Sequence, residues 1–116
     1  MTALQPWSLE VTPTFVVSTA LATRDWTEVH HDRDYAQARG SKDVFVNILT
    51  SQALVQRYVE DQLGFDVEIA AIDVRLGAPA YPGDAMVFTG DHDGSTVTVT
   101  AAVPLGSHIS ATVRLR

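Results

Sequence analysis

The chain has no cysteine, which removes disulfides, thiol nucleophiles and thiolate metal sites from consideration. Cations are scarce as well: eight Lys and Arg stand against fourteen Asp and Glu, for a formal net charge of −6. Binding a phosphate backbone draws on clustered Lys and Arg, so nucleic acid is excluded as a partner. No apolar run approaches the roughly 20 residues that span a bilayer, and no membrane partner is expected. The stretch Met1–Pro6 lacks the basic and then apolar character of a secretory signal, so a cytoplasmic location is expected. No serine sits in a Gly-x-Ser-x-Gly setting. Gly77, Gly83, Gly90 and Gly94 fall at strand ends rather than in a phosphate-binding loop.

What remains reads as one globular unit. With 116 residues, 46% of them hydrophobic, and no repeat or Pro/Gly/Ser linker, the expectation is a single domain over 1–116. Its core is small enough that oligomerisation would add much of the buried surface. Arg24, Arg33, Arg39 and Lys42 are interleaved with Asp25, Glu28, Asp32, Asp34 and Asp43, the composition of a solvated mixed-charge face.

The hydrophobic pattern divides the chain into a helical part and a strand part. Ile48, Leu49, Leu54, Val55, Tyr58, Val59 and Leu63 recur at helical spacing, with Gln52, Gln56, Arg57, Glu60 and Asp61 opposite and Gly64 as a stop. A long helix is predicted from near Asn47 to about Leu63. Thr14–Ser18 reads as a strand, and Asp32 as the cap of a short helix over Asp32–Arg39. Beyond the long helix the period becomes two. Strands are predicted over Val67–Ala78, Ala85–Gly90, Thr96–Val103 and the alternating Ile109, Ala111, Val113 and Leu115, with Asp93-Gly94 as a hairpin turn. Hairpin-linked strands make an antiparallel sheet, and one long helix would pack across it.

The chemistry concentrates in Asp25-Trp26-Thr27-Glu28-Val29-His30-His31-Asp32, where a carboxylate and an imidazole stand five positions apart on a connecting segment. Side chains on such a connection can converge on a pocket wall. Such a pair is an acid/base couple able to take up one proton and deliver another, and by itself names no substrate. His31 and Asp32 add no third metal ligand beside His30, so no metal is expected. Asp91-His92-Asp93-Gly94 sits at the predicted hairpin tip, where turn chemistry explains its residues. His108 begins a strand, Tyr81–Asp84 is a turn, and Trp26 is either core packing or a wall of the pocket.

The run Asp25-x4-His30-x-Asp32-x3-Ala36, followed by the start of the long helix, resembles the motif of the MaoC-like (R)-specific enoyl-CoA hydratases. Within that family the likeness is to the small hydratase subunits of actinobacterial steroid side-chain degradation, and it covers nearly the whole chain. Pro13–Asp25, Gly40–Thr50 and Leu54–Val59 carry it. The resemblance implies an α+β hot-dog fold, a long central helix wrapped by an antiparallel sheet of about five strands. It implies syn addition of water to a steroid side-chain enoyl-CoA with a three-carbon side chain and a C17–C20 alkene, in sterol catabolism. It places the catalytic roles on Asp25 and His30, with the CoA thioester as substrate and no cofactor. The family's His-Gly at the helix entry corresponds to Asn47-Ile48, so a backbone amide there is assigned to the thioester oxygen. Thr27-Glu28 stands where the family has Asn-Pro. The implied partner is a larger MaoC-like subunit in an α2β2 heterotetramer, which supplies much of the CoA phosphate binding that an acidic chain is poorly suited to provide. A downstream aldolase would take the product. Two alternatives stay open: a non-catalytic supporting subunit, which the departures at Thr27, Glu28, Asn47 and Ile48 would suit, and a hot-dog acyl-CoA thioesterase.

Overall fold

The computed structural model describes residues 1–116. Its centre is helix α3 (Ile48–Leu63), which ends where Gly64 takes φ 102° and donates its N–H to the Glu60 carbonyl. Leu54, Val55, Tyr58 and Val59 are its buried face. They pack in one core cluster with Met86 and Phe88 of β4 (Ala85–His92), Val97, Val99, Ala101 and Val103 of β5 (Thr96–Val103), and Ile109, Ala111 and Val113 of β6 (Gly106–Leu115). Fully burying a side chain of this size contributes about 1.5–3 kcal/mol. The opposite face of the sheet shows Thr98, Thr100, Ser110, Thr112 and Arg114 to solvent, the one-sided alternation of an antiparallel sheet with a single covered face.

Six strand segments fill five positions. The sheet runs β4–β5–β6–β3, all antiparallel, with β3 (Ile69–Leu76) at one edge. At the other edge β1 (Thr2–Ala3) and β2 (Trp7–Glu10) both pair with β4, at Asp91–His92 and Ala85–Phe88 respectively. They are one strand interrupted around Pro6, which has no N–H to give a ladder. The interruption is spanned by Leu4 N–H to Gly90 O at 2.8 Å. Trp7 stacks on Phe88 at 4.9 Å, and the Tyr58 hydroxyl donates to the Gln5 carbonyl at 2.6 Å, so this strand also seals the helix. Within the chain no strand pairs with the outer edge of β3. No helix is long and apolar enough to cross a membrane.

The long helix, the β4–β5 hairpin and the short helix α2 (Arg33–Ala38) stand where the sequence puts them. Asp32 caps α2 by accepting from Tyr35 N–H, and Asp93 Oδ1 accepts from Ser95 and Thr96 N–H in the hairpin turn. Thr14–Ser18 is corrected: it lies in helix α1 (Pro13–Ala22), not in a strand. Thr12 Oγ1 caps the Phe15 N–H, Pro13 occupies the first helical position, and Val16 and Ala20, four apart, are its buried residues. The cap and that spacing outweigh the strand preference of Thr14, Val16 and Val17.

A bulge distinguishes the end of the sheet nearest the start of α3. Ala101 opposes Ile109 while Ala102 opposes Ser107, which leaves His108 as an extra residue. It turns both His108 and Ile109 inward where strict alternation allows one. Gly77 donates to His108 O and Ala78 to Ser107 O, and a Cβ on Gly77 would stand 2.3 Å from Ser107 O. Gly77→Ala is therefore expected to destabilise the chain by about 1–3 kcal/mol, because backbone must move to admit one methyl. Urea unfolding measures it.

Candidate active site

Helix α1 ends in a Schellman arrangement. Arg24 takes φ 56°, its N–H reaches Leu21 O, and Asp25 N–H reaches Ala20 O. A left-handed arginine is mildly strained, and it turns Asp25 off the helix end into the connection that follows. Asp25 Oδ1 accepts from Thr27 N–H at 3.2 Å, and Oδ2 accepts from Asn47 Nδ2 at 3.1 Å. Burial by itself would raise this carboxyl. Hydrogen bonds from Thr27 and Asn47 and the nearby His30 outweigh it and hold Asp25 below the ordinary carboxylate value, so it is ionised.

His30 closes a 3-10 turn at Glu28–His30 and is buried, with its ring edge-on to Phe45. Nδ1 lies 2.7 Å from the Phe45 carbonyl. A carbonyl only accepts, so Nδ1 carries the hydrogen and the neutral ring presents a bare Nε2. That Nε2 stands 3.5 Å from Asp25 Oδ2. With the ring neutral, Nε2 and Oδ2 are two acceptors that make no good bond to each other, but a single water can donate to both.

A cavity of about 270 Å³ opens beside His30, bounded by Phe45, Ile48, Leu76 and His108 and by the Gly77–Ala78 backbone. Asp25 is not in its lining, whereas its neighbour His30 is. Ile48 is 49% exposed there and is the first residue of α3. The N–H groups of Ile48, Leu49 and Thr50 have no partner within the chain, since the first backbone bond of the helix is Ser51 N–H to Asn47 O. Unpaired amides and the helix dipole favour negative charge at this end. The Asn47 side chain is turned inward instead, buried against Thr23, Asp25 and Thr50. Trp26 is 62% exposed, so within this chain it is neither core nor cavity wall.

The fold brings Asp25, His30, Asn47 and Ile48 together, and it adds residues that the sequence pattern did not mark. His108 lines the cavity at 2% exposure, donates from Nδ1 to Ala78 O at 2.7 Å, and accepts from Ser51 Oγ at 2.9 Å on Nε2. The bulge re-aims it, and a bulge leaves no trace in hydrophobic period. Thr23 and Thr50, which hold the Asn47 carboxamide, are visible only as polar residues at helix ends. His31 reaches the Trp26 carbonyl, away from His30, and no cluster of metal-ligating residues forms.

No family model matches the chain. It is 56% identical over 108 residues to the 3-oxo-4,17-pregnadiene-20-carboxyl-CoA hydratase beta subunit of Mycobacterium tuberculosis, across 89% of this chain and 84% of that one. It superposes on a chain of the crystal structure of the ChsH1-ChsH2 complex from Mycobacterium tuberculosis with a TM-score of 0.93 and 52% identity, over 98% of this chain and 94% of that one. With the (R)-hydratase from A. caviae involved in PHA biosynthesis it shares the fold: TM-score 0.85 at 15% identity, over 100% and 96% of the two chains. The chain belongs to the MaoC-like hot-dog hydratases, in the family of that mycobacterial beta subunit.

Burial holds the His108 imidazole below its ordinary value of 6.5, against the opposing pull of the Ala78 hydrogen bond and the Asp84 charge. Below 6.5 the unfolded chain binds a proton that the folded chain refuses, so stability falls as pH falls, until the lowered folded value is passed. The slope from one such group is at most about 1.4 kcal/mol per pH unit. Urea midpoints between pH 7 and 5 are expected to fall less steeply in His108→Asn than in the parent chain.

Proposed function

We propose that this chain is the small subunit of an enoyl-CoA hydratase, adding water across the α,β double bond of a steroid side-chain enoyl-CoA in sterol catabolism. The observation that carries the reading is the Asp25–His30 pair, 3.5 Å apart so that one water could bridge them, in a chain 56% identical to a hydratase subunit of that kind. As the water oxygen attacks C3, its proton passes to the Asp25–His30 pair. The pair returns a proton to C2 on the same face, so the base is regenerated and the addition is syn. Negative charge that develops on the thioester oxygen is met by the free Ile48 N–H at the α3 N-terminus. The addition is redox-neutral and closes on substrate and water, so no cofactor is part of the proposal.

Thioester hydrolysis fits less well. A hot-dog thioesterase uses a carboxylate near the helix; here the first turn of α3 has no acidic residue and the nearest carboxylate, Asp25, is paired with His30, so an assay on saturated against enoyl thioesters separates the two readings. A purely supporting role leaves the buried, oriented His30 and the ionised Asp25 without a purpose.

The proposed partner is a larger MaoC-like subunit in an α2β2 assembly, with the open edge of β3 as the place where a second sheet continues this one. A formal charge of −6 assigns most of the CoA phosphate binding to that partner. A cytoplasmic location is part of the proposal, supported by a CoA thioester as the substrate class, and an aldolase would act on the β-hydroxy product.

The test is hydration of a C17 side-chain steroid enoyl-CoA, with crotonyl-CoA for comparison, by this chain co-purified with its partner. Turnover of the steroid thioester is expected, and Asp25→Asn and His30→Asn should each lower kcat by about 10²–10⁴-fold. Failure to hydrate either thioester, or full activity in Asp25→Asn, would overturn the reading.

A further inference from the structure

The Asn47 carboxamide is almost fully buried and has no freedom of orientation. Thr23 Oγ1 donates its hydrogen to Thr19 O at 2.8 Å, which leaves a lone pair facing Asn47 Nδ2 at 2.9 Å. Thr50 Oγ1 donates to Asn47 Oδ1. With the oxygen held by Thr50, both hydrogens of Nδ2 are committed, one to Thr23 and one to Asp25 Oδ2 at 3.1 Å. A flipped amide would set its oxygen against the Asp25 carboxylate and the Thr23 lone pair, and its NH2 against the Thr50 hydroxyl. The oxygen that Asn47 grips is the same Oδ2 that faces His30 Nε2. Asn47 does not cap α3, although it occupies the capping position and its residue type favours that role. Its side chain is given to Asp25 instead.

We propose that Asn47 is a positioning residue for the hydration step: its carboxamide, oriented by Thr50 and Thr23, fixes the Asp25 Oδ2 lone pairs on the water shared with His30. The inference rests on the hydratase reading above and deepens it. A donor on one lone pair of Oδ2 leaves the remaining lone pair for the water and keeps the carboxylate from rotating toward His30. The same donor favours the charged form of Asp25. Both Nδ2 hydrogens of Asn47 are committed to Thr23 and Asp25, so the influence of its carboxamide on the reacting water passes through Asp25.

Two nearly isosteric variants test this in the assembled complex. Asn47→Asp replaces the donor with an acceptor, and Thr50→Val removes the hydroxyl that orients the amide while leaving Asn47 in place. A hydrogen bond to a charged group corresponds to about a 10- to 100-fold effect. Asn47→Asp should lower kcat by about 100-fold and Thr50→Val by about 10-fold, each with KM within a few-fold of the parent. The Asp25 carboxyl carbon, followed by NMR in the complex with labelled aspartate in this chain and assigned against Asp25→Asn, should titrate at higher pH in Thr50→Val. A merely structural bond would lower the melting temperature and leave kcat and the Asp25 titration of the folded complex unchanged. That result in Thr50→Val overturns the proposal even if Asn47→Asp fails to fold. So does a fall in kcat without a shift in the Asp25 titration. Asp25→Asn separates the two levels: if it is inactive while Thr50→Val behaves as the parent, the positioning role alone falls, and if it is active the hydratase reading falls with it.

Discussion

Burial of the α3 face against the sheet is the constraint from which the site follows. Leu54, Val55, Tyr58 and Val59 have no other place to go in a chain of this size, and the aromatic contacts among Trp7, Tyr58 and Phe88 lock the C-terminal half of the helix to β2 and β4. Once that half is docked, the position of the other end is fixed by a rigid rod. The unpaired amides of residues 48–50 then lie beside the β5–β6 bulge and the exit of β3. The segment from Val11 to Val46 joins the same core through Val11, Val16, Ala36, Val44 and Val46, and its directional bonds then orient the site: Asp25 to Asn47, His30 to the Phe45 carbonyl, Val46 N–H to the Ala80 carbonyl. Apolar packing sets where the site is, and hydrogen bonds set how its atoms point.

The ionised Asp25 is held chiefly by dipoles, with the nearby His30 as a smaller contribution, and not by Arg or Lys. Its partners are the Thr27 N–H and the Asn47 carboxamide, and neither of the chain's two Arg–carboxylate ion pairs involves it. The difference is chemical. A bidentate arginine would occupy both carboxylate oxygens and neutralise the charge, and the group would then stabilise structure instead of polarising water. Two neutral donors stabilise the same charge and leave a lone pair free. His30 obeys the same logic, with its proton committed to a backbone carbonyl and its free nitrogen directed at the same point. His108 repeats the pattern across the cavity, but there Ser51 takes up the free nitrogen, which makes that ring a brace between β6 and α3.

What could be read from the sequence follows what is local. Helix α3, helix α2 with its Asp32 cap and the β4–β5 hairpin each declare themselves within their own residues, by period, cap or turn chemistry. The pairing of Asp25 with His30 was legible from their spacing and the motif around them, as far as their 3.5 Å approach goes. Helix α1 was misread because Thr14, Val16 and Val17 favour strands in isolation, although Thr12-Pro13 is a start signal. The segments β1 and β2 are too short and too polar to show a period, and exist because β4 offers an edge. The bulge that brings His108 inward is a mismatch of register between two strands, a property that neither strand has alone. The inward turn of Asn47 depends on Thr23, which lies 24 residues earlier in the chain.

Under the proposed function, the chain builds a reaction centre more completely than it builds a ligand site, and the asymmetry has a physical basis. A cavity of about 270 Å³, with Ile48 half exposed at its mouth, accommodates the reacting part of an acyl thioester but not a nucleotide-bearing CoA as well. Binding those phosphates on the same surface would require a basic groove close to the charge on Asp25. In the low dielectric near a partly buried carboxylate, such a groove would offer cations able to bind and neutralise it. Under the proposed function, separating the two tasks between chains avoids that conflict: the acidic subunit keeps an ionised carboxylate with no Arg or Lys counter-ion, and most phosphate contacts would fall to the partner. Under the proposed function, the open edge of β3 and the exposed Trp26 beside Asp25 are then consequences of an active site finished by assembly.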